Sequence, residues 1–197
     1  MILPTIKTDR LFLRPLKKED AKAIYAYAKY NAVGVPAGWM PHASIKDTEA
    51  YLEYVSAQRK AGQPGPWAIV LKESKTMIGT IEIHSYKQYK GELGFVLHPD
   101  YHRQGYMFEA CKAVMVCAFE QFKIKRLSYM HFLDNKASEG LRKKLGFTVE
   151  GIKRKGFRHE DGRILDEVVA SFTDDDYQSH FDEMFKAFKK TVTIKRT

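Results

Sequence analysis

The sequence predicts a single domain of mixed α/β type, and three observations carry that reading. Residues 91–97 alternate, with Leu93, Phe95 and Leu97 set against Glu92, Gly94 and Val96, which is the period of two expected of a strand. Beyond them apolar residues recur at Met107, Cys111, Val114, Met115, Ala118, Phe119 and Phe122, a spacing of roughly 3.6 residues that marks an amphipathic helix. Segments of these two kinds follow one another along all 197 residues with no linker and no internal repeat, a length that buries one sizeable core.

Taken in order, Leu11, Leu13 and Pro15 alternate with Phe12 and Arg14 as a first strand. Residues 17–31 read as a helix with Ala21, Ile24, Tyr25 and Ala28 on one face, followed by a Gly/Pro-rich loop over 33–42. Ser44 is placed to cap a second helix whose buried side is Tyr51, Tyr54 and Val55. Residues 67–71 and 77–84 read as neighbouring strands joined by a polar turn, and a second turn at 86–90 leads into the strand at 91–97. Past the long helix come a strand at 126–132 and a helix capped by Asn135 or Asp134, with Gly146 as its left-handed stop. Strands at 148–158 and 163–173 flank Glu160-Asp161-Gly162, a hairpin signal. Thr173 and Asp176 fit a capping box for a last helix. That helix carries Tyr177, Phe181, Met184, Phe185 and Phe188 on one stripe, which either packs on the body or meets a second copy in a homodimer. The core is expected over residues 8–173, the amphipathic helix over 174–190 and a frayed tail over 191–197.

Composition excludes several classes. Hydrophobic residues make up 44% of the chain, which is globular and not disordered. No apolar run approaches the ~20 residues of a membrane span, and the first residues lack a signal-peptide layout, so a cytoplasmic protein without a membrane partner is expected. The only cysteines, Cys111 and Cys117, lie six apart on one helix, face different ways and read as reduced thiols. The formal charge of +9 favours anionic partners. Its clusters (Lys123 to Arg126, Arg142 to Lys144, Lys153 to Lys155) are short and come with no nucleic-acid motif, so a nucleic-acid partner is not expected. His98 and His102 have a metal-like spacing, but Pro99 argues against a helix between them and a third ligand is missing, so no metal is expected.

Between the strand and the long helix lies His102-Arg103-Gln104-Gly105-Tyr106-Met107. A helix start presents unpaired N–H groups and a partial positive charge. With Gly105 allowing close approach and Arg103 adding charge, the turn suits a phosphate or pyrophosphate. It is neither a Walker loop nor a GxGxxG turn. This segment resembles motif A of the GNAT superfamily of acetyl-CoA-dependent N-acetyltransferases, Gln/Arg-x-x-Gly-x-Gly/Ala. Gly105 matches strictly, while His102 and Met107 stand where the family usually has Gln/Arg and Gly/Ala. Arg10 to Leu16 (RLFLRPL) resembles the opening strand of the ribosomal-protein acetyltransferase branch, the RimJ/RimL type. Asn135-Lys-Ala-Ser138 with Leu145-Gly-Phe147 resembles that branch's Asn-x-x-Ser and Leu-Gly-Phe signature.

The resemblance implies a mostly antiparallel central sheet with flanking helices, in which two strands splay apart to make the cofactor cleft. It assigns the pantetheine arm of acetyl-CoA to the backbone of Phe95, Val96 and Leu97, and the pyrophosphate to Arg103, Gln104, Gly105, Tyr106 and Met107. Met107 is bulkier than usual there, and its place on the apolar stripe lets it turn into the core. Asn135 and Ser138 share one helical turn. They read either as a cap alone or, by the resemblance, as a pantetheine ligand and a proton donor near the sulfur. Glu92 is the preferred general base over Glu82, with a structural salt bridge or a water base as the other readings. Trp39 and His42 are expected to contact the acceptor or to act as a lid. The function implied is acetyl transfer from acetyl-CoA to a primary amine without an acyl-enzyme, the acceptor being a protein N-terminus or a small amine. The departures at His102 and Met107 leave a non-catalytic CoA-responsive protein as the alternative.

Overall fold

The computed structural model describes residues 3–195. The two residues before and the two after, including the end of the expected frayed tail, lie outside the described residues. Strands β1 (Thr5–Lys7) and β2 (Leu11–Pro15) lead through a 3₁₀ turn at Lys18–Asp20 into α1 (Ala21–Ala28). The helix expected over 17–31 is thus interrupted, because Tyr30 is extended (φ −93°, ψ 131°) and a new short helix α2 (Asn31–Gly34) starts behind it. A second 3₁₀ turn at Val35–Ala37 follows, so the expected loop is partly helical. Helix α3 (Ile45–Lys60) begins on the Ser44/Asp47 capping box. Its buried positions are Thr48, Leu52 and Val55, the i, i+4, i+7 stripe, whereas Tyr54 is exposed and corrects the expected face.

Strands β3 (Pro66–Leu71), β4 (Met77–Lys87) and β5 (Lys90–Leu97) form an antiparallel meander. β3 is apolar throughout because both its faces are covered, Trp67 and Ile69 on one side, Ala68 and Val70 on the other. Helix α4 (Tyr106–Val116) widens into a π-helical turn at Cys117–Gln121, closed by the Phe122 N–H on the Cys117 carbonyl (3.1 Å). β6 (Arg126–Phe132), α5 (Lys136–Lys144), β7 (Thr148–Arg158) and β8 (Ile164–Thr173) follow as read from the sequence.

The last helix is not continuous. It runs as α6 (Asp174–Ser179) from the Thr173/Asp176 capping box, a π turn at Phe181–Phe185 and α7 (Lys186–Lys189). Its aromatic stripe packs on the body, where Phe185 and Tyr177 are buried, and Tyr177 stacks on Phe119 at 5.1 Å. Residues 193–195, expected to be frayed, form β9 (Thr193–Lys195) against β1, with Ile6 opposite Ile194. Neither β1 nor β9 had been legible, since three residues are too few to show a period.

The nine strands among the described residues form one sheet, ordered β7-β8-β6-β5-β4-β3-β2-β1-β9. α4, α5 and the C-terminal helices cover one face, α1 and α3 the other. Every neighbouring pair for which a register is defined is antiparallel except β5–β6, which is parallel. Among the described residues no helix is long and apolar enough to cross a membrane.

If the C-terminal stripe belongs to the core, Phe185→Ala lowers the unfolding free energy by about 3–5 kcal/mol in urea denaturation. A loss below about 1 kcal/mol would mean the stripe is dispensable to the body.

Candidate active site

The parallel pair β5–β6 is where the sheet opens. Lys90, Gly91 and Glu92 pair with Arg126, Leu127 and Ser128, and the ladder stops there. β5 runs on through Phe95, Val96 and Leu97 still bound to β4 on its other side, while β6 turns with β8. The edge of residues 93–97 that faces β6 therefore has no strand partner, which is the feature an extended chain needs to bind alongside a sheet.

At the end of that edge the chain turns into α4. His102 donates from Nε2 to the Leu97 carbonyl (3.0 Å), tying the turn to the strand end. Gln104 donates from Nε2 to the Asp100 carbonyl (2.9 Å). Arg103 is held at φ 59° and Gly105, the N-cap, at φ 79°, so two left-handed residues aim the first amides of an eleven-residue helix outward. Met107 is only 9% exposed and belongs to the core beneath α4, so its bulk points away from the amides. His102 thus staples the strand end, and Met107 fills the core.

Across the opening stands the start of α5. Asn135 Oδ1 accepts from the Ser138 N–H (3.0 Å), which is the capping reading. Its Nδ2 donates to the Pro36 carbonyl (3.2 Å), a contact no sequence pattern announced. Ser138 Oγ lies 2.9 Å from the Tyr129 hydroxyl, which also reaches the Ser138 carbonyl at 3.0 Å. Tyr129 sits on β6 beyond the last residue paired with β5, and its ring is 5.7 Å from that of Phe95 across the gap. Burial pushes its phenol well above the usual range, so the hydroxyl keeps its proton. The alternation of residues 126–132 marks Tyr129 only as a strand residue, although a polar tip inside a core demands a partner.

Glu92 faces the opposite side of the sheet from Leu93 and Tyr129, at the apex where β5 and β6 part. Burial, then the nearby Glu167 carboxylate, raises it to about 7, with Lys153 opposing. The cross-strand residue His84 brings Nε2 to 3.6 Å from Glu92 Oε1. Burial also raises the neighbouring Glu82 and lowers His84, so this face holds groups whose charge is poorly solvated. Ser138 and Glu92 do not touch, because the sheet lies between them.

Trp39 and His42 stand side by side (5.3 Å between rings), with His42 6.3 Å from Tyr51 on α3. His42 Nδ1 is bonded to the Thr48 hydroxyl (2.8 Å), and burial lowers its pKa. The segment between α2 and α3 crosses toward β6 and the β7–β8 hairpin. Gly38, at φ 90°, lies so close beneath Phe157 and Phe132 that a Cβ would stand 2.9 Å from Phe157. The Met40 N–H reaches Glu160 (3.3 Å). Cys111 and Cys117 are both buried, and burial holds the Cys111 thiol far above its usual range, so it is no nucleophile. No group of three or more His, Cys, Asp or Glu side chains among the described residues is arranged to hold a metal.

The acetyltransferase (GNAT) domain matches residues 10–148. The uncharacterized N-acetyltransferase YoaA of Bacillus subtilis (strain 168) is 30% identical over 172 residues, spanning 86% of this chain and 97% of YoaA. The ribosomal-protein-S5-alanine acetyltransferase from Vibrio fischeri superposes with a TM-score of 0.72 at 23% identity, over 88% of this chain and 98% of that one. The microcin C7 self-immunity acetyltransferase MccE, solved with acetyl-CoA and AMP, gives 0.73 at 20% identity, over 84% and 93%.

The raised Glu92 makes a prediction about stability with a definite sign. A carboxyl raised on folding stabilises the fold most when protonated, and that contribution is lost as pH climbs from its unfolded value to about 7. Glu92→Gln is therefore more stable than the parent at about pH 8, by at most about 3 kcal/mol, and gains little at about pH 4. Thermal melts at both pH values read this directly. A gain equal at both would show that folding leaves the affinity of Glu92 for its proton unchanged.

Proposed function

Since the chain belongs to the GNAT acetyltransferase family and is an N-acetyltransferase, we propose that it moves the acetyl group of acetyl-CoA directly to a primary amine within a ternary complex. The observation that carries this reading is the β5–β6 ladder ending at Glu92, with an amide-lined helix start at the end of the open edge. Phe95, Val96 and Leu97 supply the edge for the pantetheine arm, and Arg103, Gln104, Gly105, Tyr106 and Met107 the amides for the pyrophosphate.

The sheet divides the proton work. On the Glu92 face an incoming ammonium gives one proton to the Glu92 carboxylate, whose raised affinity matches that task near neutral pH. The freed nitrogen attacks the thioester carbon, and an amide of the 95–97 segment steadies the oxygen as it gains charge. The carbon–sulfur bond then breaks. On the other face the leaving sulfur takes a proton from the Ser138 hydroxyl, which is resupplied by Tyr129 and water, and the proton remaining on the new amide nitrogen passes to water. Asn135, whose side chain already caps α5 and binds Pro36, holds Ser138 in place beside the arm. Trp39 and His42 border the acceptor. The acceptor is a protein N-terminus or a small amine. The likeness to the ribosomal-protein acetyltransferase supports the first at the level of fold. A cytoplasmic location, where acetyl-CoA is made, accords with this chemistry.

Calorimetric titration tests the cofactor: one-to-one binding of acetyl-CoA at micromolar strength is expected, and no heat at all would sink the reading. With an acceptor in hand, Ser138→Ala should keep that affinity and lose about 10²-fold or more in kcat. Glu92→Gln should flatten the rise of kcat/KM through about pH 7, and an unchanged profile would remove Glu92 from the role of base.

A further inference from the structure

The turn that begins α4 is held from outside itself. Arg10, between β1 and β2, donates from Nε to Glu109 Oε2 (2.6 Å) and from Nη1 to the Gln104 carbonyl (3.0 Å). Its guanidinium lies 4.5 Å over the centre of the Tyr106 ring. Its Nη2 stands 3.3 Å from where a Cβ on Gly105 would be, so the group lies against residues 104–106. Glu109, one turn into α4 and 8% exposed, anchors the other end. Its Oε1 accepts from the Thr8 hydroxyl (2.6 Å) and the Arg10 backbone N–H (3.1 Å).

A buried carboxylate at this place is costly in two ways. It needs partners to offset lost hydration, and its negative charge opposes any anion bound at the same helix start. Both partners come from residues 8–10, nearly a hundred positions away in the chain. The arrangement therefore spends anion affinity on geometry: the carboxylate orients a rigid, planar guanidinium, and the guanidinium fixes the carbonyl and ring on either side of Gly105.

We propose that Arg10 and Glu109 are positioning residues for acetyl-CoA, a clamp that presets the amides of residues 103–106 for the pyrophosphate. This rests on the cofactor reading above. It makes a prediction opposite to that of simple electrostatics. If charge alone mattered, Glu109→Gln would tighten binding of an anion and Arg10→Lys would leave it unchanged. The clamp requires both to weaken it.

The experiment is calorimetric titration of the purified full chain with CoA, below each variant's melting temperature. Glu109→Gln and Arg10→Lys are each expected to raise Kd about tenfold. The double variant Arg10→Lys/Glu109→Gln should lose no more than the worse single one, because both break the same joint. CoA affinity equal to or above the parent's in Glu109→Gln overturns the clamp, as does parental affinity in Arg10→Lys. The latter variant decides alone if Glu109→Gln fails to fold. A parent chain that does not bind CoA removes the cofactor reading and the clamp with it, whereas a binding parent with indifferent variants removes the clamp only.

Discussion

Everything in this molecule turns on a ladder that stops after three residues. β5 and β6 begin as ordinary parallel neighbours and then part, leaving backbone donors and acceptors of residues 93–97 facing a gap. Unsatisfied backbone groups beside an otherwise closed core are expensive, and a fold keeps them only where the rest of the structure insists. Here the insistence is mutual. β5 is fixed by β4 along its length, and β6 is drawn the other way by seven residues of pairing with β8. Phe95 and Tyr129 brace the opening on the α4 side.

The surroundings of the gap follow from keeping it open. His102 occupies the Leu97 carbonyl at its far end, and Met107 buries its side chain so that the helix start stays uncluttered. On one side of the sheet, aromatic packing builds a cage around the Tyr129–Ser138 pair, with Phe147 5.1 Å from the Tyr129 ring. On the other, burial makes the Glu82 and Glu92 carboxyls hold their protons more tightly than in water and His84 hold its own less tightly.

Much of this was legible in the sequence, and what was not has identifiable causes. Alternation, the 3.6 period and turn signals mark β2 to β8 and the helices α3, α4 and α5, because each element is long enough to show a pattern or is bounded by a clear turn. Tyr54 is misplaced because Tyr51, Tyr54 and Val55 also keep helical spacing, on a face rotated from the buried stripe of Thr48, Leu52 and Val55. Three-residue strands carry no period, so β1 and β9 were invisible. The turn at 102–107 could be read because helix starts have a local chemistry. Its tether to Arg10 could not, because a contact spanning ninety-nine positions leaves no local trace. The same holds for the bond between Asn135 and Pro36, which spans as many positions. Pattern reveals elements, whereas a site is made of the encounters between them.

That last bond has a wider consequence. The segment carrying Trp39 and His42 and the helix carrying Ser138 are far apart in the chain, yet one asparagine holds both, with its oxygen on α5 and its nitrogen on Pro36. Sequence drift in the segment of Trp39 and His42 is therefore not free of the helix that carries Ser138. An insertion or deletion that pulls Pro36 away strands a donor on the residue that sets Ser138. Under the proposed acceptor role of that segment, adaptation to a new amine would proceed by exchanging side chains on a segment of constant length, and changes of length would arrive together with a replacement at Asn135.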